Sequence, residues 1–369
     1  MRVVHVNTEP TWRGGESQVF NLMRGLRGRG HTAEVVALPG GVLAGRCRAD
    51  GFDVFELAMR SDADLPAAWR LARYLGKTRP DIVHAQTARA HSIALLARKL
   101  AAPGLLVVSR RLDFPIKPHL LNRWKYANRS VSAYIAVAEV IRDILVRAGV
   151  PPERVTVIQS SIDLARFTGV GDHRAAIRAQ LGIPESARVV GNVAALAWHK
   201  GQQDLVAAMP AVLAAIPDAW LVIVGGGDQR DVLLAKARDR GVGGRVILTG
   251  ARDDVPKVLT AFDLFCMPSY YEGLCNSVLE AFAMKVPVVA TRAGGLPEIV
   301  LHEATGLLAR PRDPADLAAA LIRLLTEKEL GRRVAEAGHD LVRTRFSAER
   351  MVERTETLYA GLLGGRAQT

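Results

Sequence analysis

The sequence predicts an α/β protein made of two doubly wound, Rossmann-like domains. Short apolar segments alternate with longer amphipathic segments, which is the pattern of parallel strands joined by helices. At 369 residues the chain is too long for one ordinary core, and the alternation restarts after Pro151 and Pro152. The 33 glycines supply the tight strand-to-helix turns that such domains require.

In the first half of the chain, each predicted strand is followed by a loop or a helix. The predicted strands are residues 3–7, 31–37, 82–85, 105–109, 133–137 and 155–159, and the predicted helices are residues 15–29, 66–78, 91–100, 122–129 and 138–148. The N-terminal segment MRVVHVNTEP contains His5, Asn7 and Glu9, which interrupt its apolar residues too early for a signal peptide. We therefore expect no export.

The second half repeats the pattern, with predicted strands at residues 189–193, 220–224, 246–249, 264–267 and 287–291. The longest apolar run, residues 207–227, is broken by two prolines and an aspartate, so we interpret it as a helix followed by a strand and expect no membrane span. The three cysteines are odd in number and show no metal-ligand spacing, which indicates a reducing compartment. We expect a cytoplasmic protein.

The chain is strongly basic, with a formal net charge of +12 and a pI near 10.0. Nucleic acid, anionic lipid and phosphorylated substrates all attract such a charge, so charge alone does not choose among them. Many arginines, such as Arg142 and Arg147, lie on predicted helix faces, where the ordinary role is a solvated surface.

Residues 268–290, PSYYEGLCNSVLEAFAMKVPVVA, give the strongest indication of chemistry. Pro268 ends a buried strand, and Glu272 lies in the loop that follows, where a carboxylate can accept hydrogen bonds from sugar hydroxyls. Glu280 lies two turns into the next helix and can accept both hydroxyls of a ribose. Solvated glutamates in an ordinary strand, turn and helix unit are the alternative. The first helix amides can hold a diphosphate without a metal, and we place them at Gly273, Leu274, Cys275 and Asn276.

This segment resembles the E-x7-E signature of retaining GT-B glycosyltransferases, specifically glycosyltransferase family 4. The resemblance covers nearly the whole chain and is strongest over residues 264–308. It implies that Glu272 acts on the donor sugar and Glu280 on the ribose, with retention at the anomeric carbon and no metal or other cofactor. It also implies a GT-B architecture, in which two domains, 1–165 and 166–346, face each other across a cleft and the last helix, 347–369, crosses back to the first domain.

A second group of candidate residues lies in NVAALAWHKG, residues 192–201. Lys200 is placed between a strand and a helix, where its charge can neutralise a leaving diphosphate, and His199 can assist it. An exposed lysine is the alternative. The family usually shows G-R-L-x-x-x-K-G here, and Ala195 stands where its arginine would be. Ser161 likewise replaces the glycine of the family's N-G-V-D turn.

Two further loops are candidates for donor binding. Gly14 and Gly15 open the first helix and resemble the family's first-domain glycine loop, in which backbone amides are the binding groups. The pattern lacks G-x-G-x-x-G and is therefore not a dinucleotide fingerprint. Arg252 follows the predicted strand 246–249, where we expect the nucleotide base, and is either directed at phosphate or a surface residue.

Acceptor binding is predicted for the first domain. Residues 109–129 mix arginines and lysines with aromatic residues, which suits an anionic lipid face or a phosphorylated glycan, with Arg110 and Arg111 as the first two cations. A packed helix with solvated cations is the alternative. His84 and His91 lie near the end of a predicted strand and either bind sugar hydroxyls or are structural.

Together these features predict a cytoplasmic hexosyltransferase, working at the cytoplasmic face of the inner membrane. Its donor would be a nucleotide diphosphate sugar, and its acceptor a glycan or lipid-linked saccharide in lipopolysaccharide or similar envelope synthesis. One alternative is a nucleotide-sugar epimerase or hydrolase of the same fold. The other is a basic nucleic-acid-binding protein, which only residues 110–129 would support, so we expect no nucleic acid as partner.

Overall fold

The computed structural model describes residues 1–117 and 120–366 and divides the chain into two compact units. The first unit contains Met1–Ser161 and the C-terminal segment that begins at Ala348. The second unit contains Ile162–Ser347. Each unit is built on its own parallel sheet, as the alternation of strands and helices predicted.

The described residues of the first unit form a seven-stranded parallel sheet with the order β3-β2-β1-β4-β5-β6-β7. Its strands are β1 (Arg2–Val6), β2 (Thr32–Ala37), β3 (Asp53–Glu56), β4 (Ile82–Ala85), β5 (Leu105–Arg110), β6 (Val131–Ala136) and β7 (Val155–Val157). The connecting helices are α1 (Gly14–Gly28), α2 (Val42–Ala49), α3 (Leu65–Thr78), α4 (Ala88–Lys99), α5 (Leu120–Tyr126) and α6 (Glu139–Arg147). The strand order reverses between β1 and β4, and such a reversal opens a crevice at the carboxyl ends of the strands.

The described residues of the second unit form a six-stranded parallel sheet with the order β10-β9-β8-β11-β12-β13. Its strands are β8 (Arg188–Val193), β9 (Ala219–Val224), β10 (Val246–Gly250), β11 (Leu264–Met267), β12 (Val288–Thr291) and β13 (Leu307–Ala309). Its helices are α7 (Arg174–Gln180), α8 (Gln202–Ala215), α9 (Arg230–Asp239), α10 (Val255–Leu259), α11 (Asn276–Ala283), α12 (Pro314–Thr326) and α13 (Lys328–Arg345). Here the order reverses between β8 and β11.

The C-terminal helix α14 (Ala348–Arg366) belongs to the first unit, as the family resemblance implied. Its Val352 and Tyr359 are buried in one core cluster with Leu22 of α1. Gly25 of α1 allows this approach, because a Cβ there would lie 2.3 Å from Cγ2 of Val352. The apolar residues of the last helix therefore form part of the core of the first unit.

Helix α11 is held in place by close packing against α13. A Cβ on Gly338 of α13 would lie 2.4 Å from Cδ1 of the Phe282 ring of α11, so any side chain at this position would displace the aromatic ring. Phe282 itself is completely buried. This packing fixes the helix whose first turn carries the candidate phosphate site.

Several elements were absent from the predicted pattern or differ from it. The strand β3 lies at an edge of its sheet, and β13 is only three residues long, so neither gives a distinct apolar run. The helix α2 was not predicted either. The helix expected at residues 122–129 is α5, which begins and ends earlier.

Candidate functional site

The carboxyl ends of the strands of the second unit bring together loops that are distant in sequence. Because all the strands are parallel, the loops after β8, β9, β10, β11 and β12 leave the same edge of the sheet. The loop after β8 carries His199 and Lys200, and the loop after β11 carries Glu272. This edge is where doubly wound sheets bind ligands.

Lys200 and Glu272 contact each other directly. Lys200 Nζ donates a hydrogen bond to Oε2 of Glu272 at 2.6 Å, although the two residues are 72 positions apart. Ser269 Oγ donates to the same oxygen at 3.2 Å. The lysine side chain is 18% exposed and the glutamate 11%, so solvent screens this pair less than a surface ion pair. The sequence placed both residues at the site but did not predict that they would pair.

Backbone contacts hold the loops of Lys200 and Glu272 against each other. The amide of Tyr270 donates to the carbonyl oxygen of His199 at 2.8 Å. Gly201 has φ +68°, and a Cβ there would lie 1.9 Å from the carbonyl oxygen of Pro268, so glycine is required after Lys200. The Tyr270 hydroxyl is hydrogen-bonded to Asp204, and burial with this bond raises the pKa of the tyrosine. These contacts between the two loops therefore fix the position of the Lys200–Glu272 ion pair.

Helix α11 begins at Asn276 rather than near Leu274, which corrects the expected helix start. The preceding residue, Cys275, is the N-cap in an extended conformation, and no side chain caps the helix. Gly273 and Leu274 lie in the turn before the helix, since the carbonyl oxygen of Gly273 accepts a hydrogen bond from Gly295 N at 3.0 Å. The helix amides at the positive end of the dipole therefore start at Asn276.

Glu280 lies half-buried in α11, little more than one turn after the helix start at Asn276, which corrects the expected position two turns into the helix. Burial raises the pKa of its carboxyl to about 7, and the nearby Arg166 partly opposes this shift. Arg166 lies in the short 3-10 helix Leu164–Phe167, which packs against α11. A carboxyl with this pKa changes charge near neutral pH, so hydroxyl donors from a ligand would favour its ionised form.

A glycine-rich loop after β9 covers the loop that follows β8, and sequence analysis missed it. Gly225 and Gly227 have φ +146° and φ +154°, and a Cβ on either would lie within 2.3 Å of the carbonyl oxygen of Ala194 or Leu196, respectively. Leu196 N donates to Gly226 O at 2.9 Å. Three consecutive glycines after an apolar strand were the available signal.

Two candidates in the second unit have evident structural contacts. Arg252 donates to both carboxylate oxygens of Asp254, at 2.8 and 2.6 Å, and a further donor contacts Gln180. This geometry favours the alternative in which Arg252 is not directed at phosphate. The ring of His199 packs edge-on against Trp198, while its carbonyl oxygen holds the loop of Tyr270.

In the first unit, Gly14 and Gly15 form the start of α1, as predicted. Arg111 lies over this start, because a Cβ on Gly15 would be 3.6 Å from its Cδ. Its guanidinium donates to Oε1 of Gln86 at 2.7 Å, and burial lowers its pKa to about 10. Glu16, in the first turn, accepts from Asn7 at 3.0 Å. The structure thus brings one predicted acceptor residue to the glycine turn.

His84 and His91 both lie in the core, each with 1% exposure. The ring nitrogens of His84 contact Ser109 at 2.8 Å, Gln86 at 2.9 Å and the Tyr359 hydroxyl at 2.6 Å. The ring of His91 packs edge-on against two tyrosines. These positions favour the structural alternative for both histidines, because a sugar hydroxyl would have to replace contacts made inside the core.

The basic segment of residues 109–129 is packed inward more than an exposed basic helix would be. Arg110 donates to the Tyr126 hydroxyl at 2.8 Å, and Lys125, only 12% exposed, donates to the carbonyl oxygen of Ala88 at 2.7 Å. Lys117 and Trp124 are exposed. Residues 118 and 119 and the side chain at position 123 lie outside the described part of the segment. Nowhere in residues 1–117 and 120–366 is a helix long and apolar enough to span a bilayer.

Two family models match the chain in succession. The model described as "Glycosyltransferase Family 4" matches residues 12–166, and the model described as "Glycosyl transferases group 1" matches residues 173–340. The first match lies within the N-terminal half of the chain, and the second covers the loops that carry Lys200, Glu272 and Glu280. Together they account for most of the chain.

Two relatives match this chain over segments of different length. The N-acetyl-alpha-D-glucosaminyl L-malate synthase of Bacillus anthracis is 27% identical over 306 residues, which cover 81% of this chain and 80% of the relative. The lipopolysaccharide core biosynthesis glycosyltransferase LpsE of Rhizobium meliloti is 35% identical over 190 residues, which cover 52% of this chain and 55% of LpsE. The second match therefore spans about half of each protein.

A solved structure with the same fold is that of HepE from Anabaena in complex with UDP and glucose. It matches with a TM-score of 0.86 and 23% identity, and the match covers 98% of this chain and 100% of HepE. At this identity the similarity shows the fold. Both parallel-sheet domains and their helices are therefore arranged along the sequence as in a glycosyltransferase of the GT-B class.

Proposed function

The chain belongs to glycosyltransferase family 4 and is a hexosyltransferase-type enzyme of the GT-B fold, so we propose that it transfers a hexose from a nucleotide diphosphate sugar. We further propose that transfer retains the anomeric configuration and requires no metal. The observation that carries this proposal is the 2.6 Å contact between Lys200 and Glu272 next to the first turn of α11. A cation, a carboxylate and a helix N-terminus are thereby combined in one small site.

We assign the parts of the donor to separate residues. The diphosphate is held by Lys200 and by the amides at the start of α11, where the helix dipole favours negative charge. The hexose hydroxyls donate to Glu272, and the ribose hydroxyls donate to Glu280. UDP is the nucleotide named with HepE, and a uridine nucleotide is therefore the first donor class to test.

The proposed reaction is a front-face substitution. The acceptor hydroxyl attacks the anomeric carbon while the bond from that carbon to the diphosphate oxygen breaks, and the departing oxygen takes the acceptor proton. Lys200 and the helix amides stabilise the negative charge that grows on this oxygen, which is the main electrostatic requirement of the step. Glu272 orients the sugar, so that positioning contributes alongside charge stabilisation.

The acceptor is proposed to be a glycan or a lipid-linked saccharide of the cell envelope. The name of LpsE assigns that relative to lipopolysaccharide core biosynthesis. The net charge of +12 on this chain also favours binding of phosphorylated acceptors. We expect the enzyme to work at the cytoplasmic face of the inner membrane, where such acceptors are assembled. Exposed Trp124 and Lys117 are the first residues to test for contact with a lipid acceptor.

The first experiment measures thermal stabilisation of the protein by UDP, GDP, ADP and CMP, with Glu280→Ala as the comparison variant. We expect one nucleoside diphosphate to raise the melting temperature of the natural protein and to raise that of the variant much less. The best nucleotide then selects the nucleotide sugars for a transfer assay. If a folded protein responds to none of the four nucleotides, the transferase proposal fails for these donor classes.

Product analysis without acceptor tests the same proposal against an epimerase or a hydrolase. A transferase leaves most of the nucleotide sugar intact until an acceptor is added, because water is a poor substitute for the bound hydroxyl. An epimerase would change the sugar while leaving it attached to the nucleotide. Rapid rearrangement or hydrolysis in the absence of acceptor would therefore contradict the proposed reaction.

A further inference from the structure

The ion pair between Lys200 and Glu272 places a carboxylate where a bound diphosphate must lie. Both hydrogen bonds described for this carboxylate, from Lys200 and Ser269, end on its Oε2. A diphosphate that binds to Lys200 therefore approaches the same ammonium group from beside a negative charge. Two anions that share one partly buried cation repel each other more strongly than they would in water.

The start of α11 lies within electrostatic reach of the same pair. Burial raises the pKa of the Cys275 thiol to about 12, and the negative charge of Glu272 adds to this effect, while Lys200 opposes it. Cys275 is the N-cap residue of α11. An anion held by the first helix amides would thus also lie close to the Glu272 carboxylate.

Two cations that could offset that repulsion are absent from the site or engaged elsewhere. Ala195 stands where the family pattern has an arginine, and the glycines after β9 pack against the backbone on both sides of it. Arg252 is held by Asp254 through two hydrogen bonds. Glu272 and a bound phosphate would therefore compete for the ammonium group of Lys200.

We propose that Glu272, through its pairing with Lys200, makes the site discriminate between the intact nucleotide sugar and the nucleoside diphosphate product. This inference rests on the proposed function. The intact donor supplies sugar hydroxyls that donate to Glu272 and so replace the hydrogen bond from Lys200, which is then available to the diphosphate. The product supplies no such donor, and Lys200 returns to Glu272.

The charge of the product strengthens this discrimination. Once the sugar has left, the terminal phosphate has a second ionisation near pH 6, so at neutral pH the product carries about one more negative charge than the donor. That charge develops on the phosphate nearest the sugar position, which Glu272 borders. The same carboxylate therefore favours the donor by hydrogen bonding and disfavours the product by repulsion, which assists product release.

The test compares equilibrium binding of UDP and UDP-glucose, and of GDP and GDP-mannose, by titration calorimetry. The variant is Glu272→Gln, which keeps the shape and hydrogen-bonding capacity of the side chain but removes its charge. We expect this variant to bind the nucleoside diphosphate about tenfold more tightly than the natural protein does, because the repulsion is lost and Lys200 is no longer neutralised. The affinity for the corresponding nucleotide sugar should increase less or decrease.

Glu280→Gln is the matched control, since it replaces the other glutamate of the same segment. Its proposed ribose contact is shared by donor and product, so both affinities should change by a similar factor and their ratio should stay constant. A Glu272→Gln variant that binds the nucleoside diphosphate no more tightly than the natural protein overturns the inference but leaves the proposed function standing. A natural protein that is folded but binds no nucleotide overturns both.

Discussion

The two sheets carry polar side chains at the carboxyl ends of their strands but use them differently. In the first unit, His84 is bonded to Ser109, Gln86 and Tyr359 and is excluded from solvent. In the second unit, Lys200 and Glu272 pair at the edge of the sheet and keep part of their surface exposed. The first arrangement stabilises the core, whereas the proposed function requires the second to exchange its partners for a ligand.

This difference teaches that residue type and position at a strand end do not by themselves identify a binding residue. The first unit had the more suggestive composition, with two histidines at a strand end and a cluster of arginines. The ring nitrogens of His84 are nevertheless satisfied by neighbouring side chains, including that of Tyr359, which comes from α14 at the other end of the sequence. Nε2 of His91 and Nε of Arg111, by contrast, are buried without a hydrogen-bond partner among the described residues. What distinguishes the second unit is a partly exposed ion pair, which the proposed function assigns to the diphosphate and the sugar.

The largest expected effect is the loss of transfer in Lys200→Ala. Removing the cation that stabilises the leaving diphosphate should lower kcat by about 10²–10³-fold, as with other removed charge-stabilising donors. The fold should remain intact, because Lys200 lies at the rim of the sheet. Steady-state kinetics with the donor chosen from the nucleotide panel, together with a thermal melt, measures both quantities.

Lys257→Ala is the control for that prediction. Lys257 is an exposed lysine of α10 in the same unit, and its removal takes away one positive charge without touching the site. Activity within about twofold of the natural protein is expected, since isolated surface charges contribute little. Equal losses in the two variants would mean that overall charge, rather than the Lys200 contact, supports catalysis.

The next effect is on stability and concerns the first unit. His84→Ala should lower the free energy of unfolding by about 2–4 kcal/mol, because it leaves a cavity and removes the partners of three buried polar groups. The expected measurement is a shift in the denaturation midpoint. His199→Ala, in the site loop of the second unit, should cost less than about 1 kcal/mol, because its backbone rather than its ring joins the loops. Similar losses in both variants would remove the distinction between the units.

Features that depend on neighbouring residues could be predicted from the sequence, whereas features that depend on distant contacts could not. The strand, loop and helix around Glu272 and Glu280 are contiguous in sequence. The apolar run, the proline and the glycine were therefore sufficient to place the two glutamates in one strand-loop-helix unit. The alternation of strands and helices likewise predicted two parallel sheets. The start of α11 shifted because the carbonyl oxygen of Gly273 is bonded to Gly295, a contact that propensity does not contain.

Contacts between distant positions were beyond prediction from one sequence. The pairing of Lys200 with Glu272 depends on the order of strands β8 and β11 in the sheet, and the burial of His84 depends on where α14 packs. A histidine looks the same in sequence whether it is exposed or enclosed. The glycines at 225 and 227 gave a local signal, but the backbone that they allow to approach lies in the preceding loop.

A smaller effect concerns pH and the second unit. If the ribose hydroxyls bind the ionised form of Glu280, whose pKa is about 7, nucleotide affinity should fall below that pH by up to about tenfold per unit. For stability the sign is opposite, since this carboxyl holds its proton in the folded state and releases it in the unfolded state between about pH 4.5 and 7. Ionisation of Glu280 therefore lowers stability as pH rises through that window. Glu280→Gln should flatten both profiles, and an unchanged affinity profile would argue against the ribose contact.

The smallest expected effect is that of a chelator. If Lys200 and the amides of α11 together neutralise the diphosphate, the reaction needs no metal ion from solution. EDTA should then leave the initial rate of transfer unchanged within about twofold. The measurement should be repeated in the Lys200→Ala variant with and without magnesium. Recovery of that variant by magnesium alone would show that the site can accept an external charge in place of the lysine. A strong dependence of the natural enzyme on magnesium would instead mean that the partly buried Lys200 and the helix amides do not suffice to hold the diphosphate. The proposed difference between the polar groups of the two units would then fail.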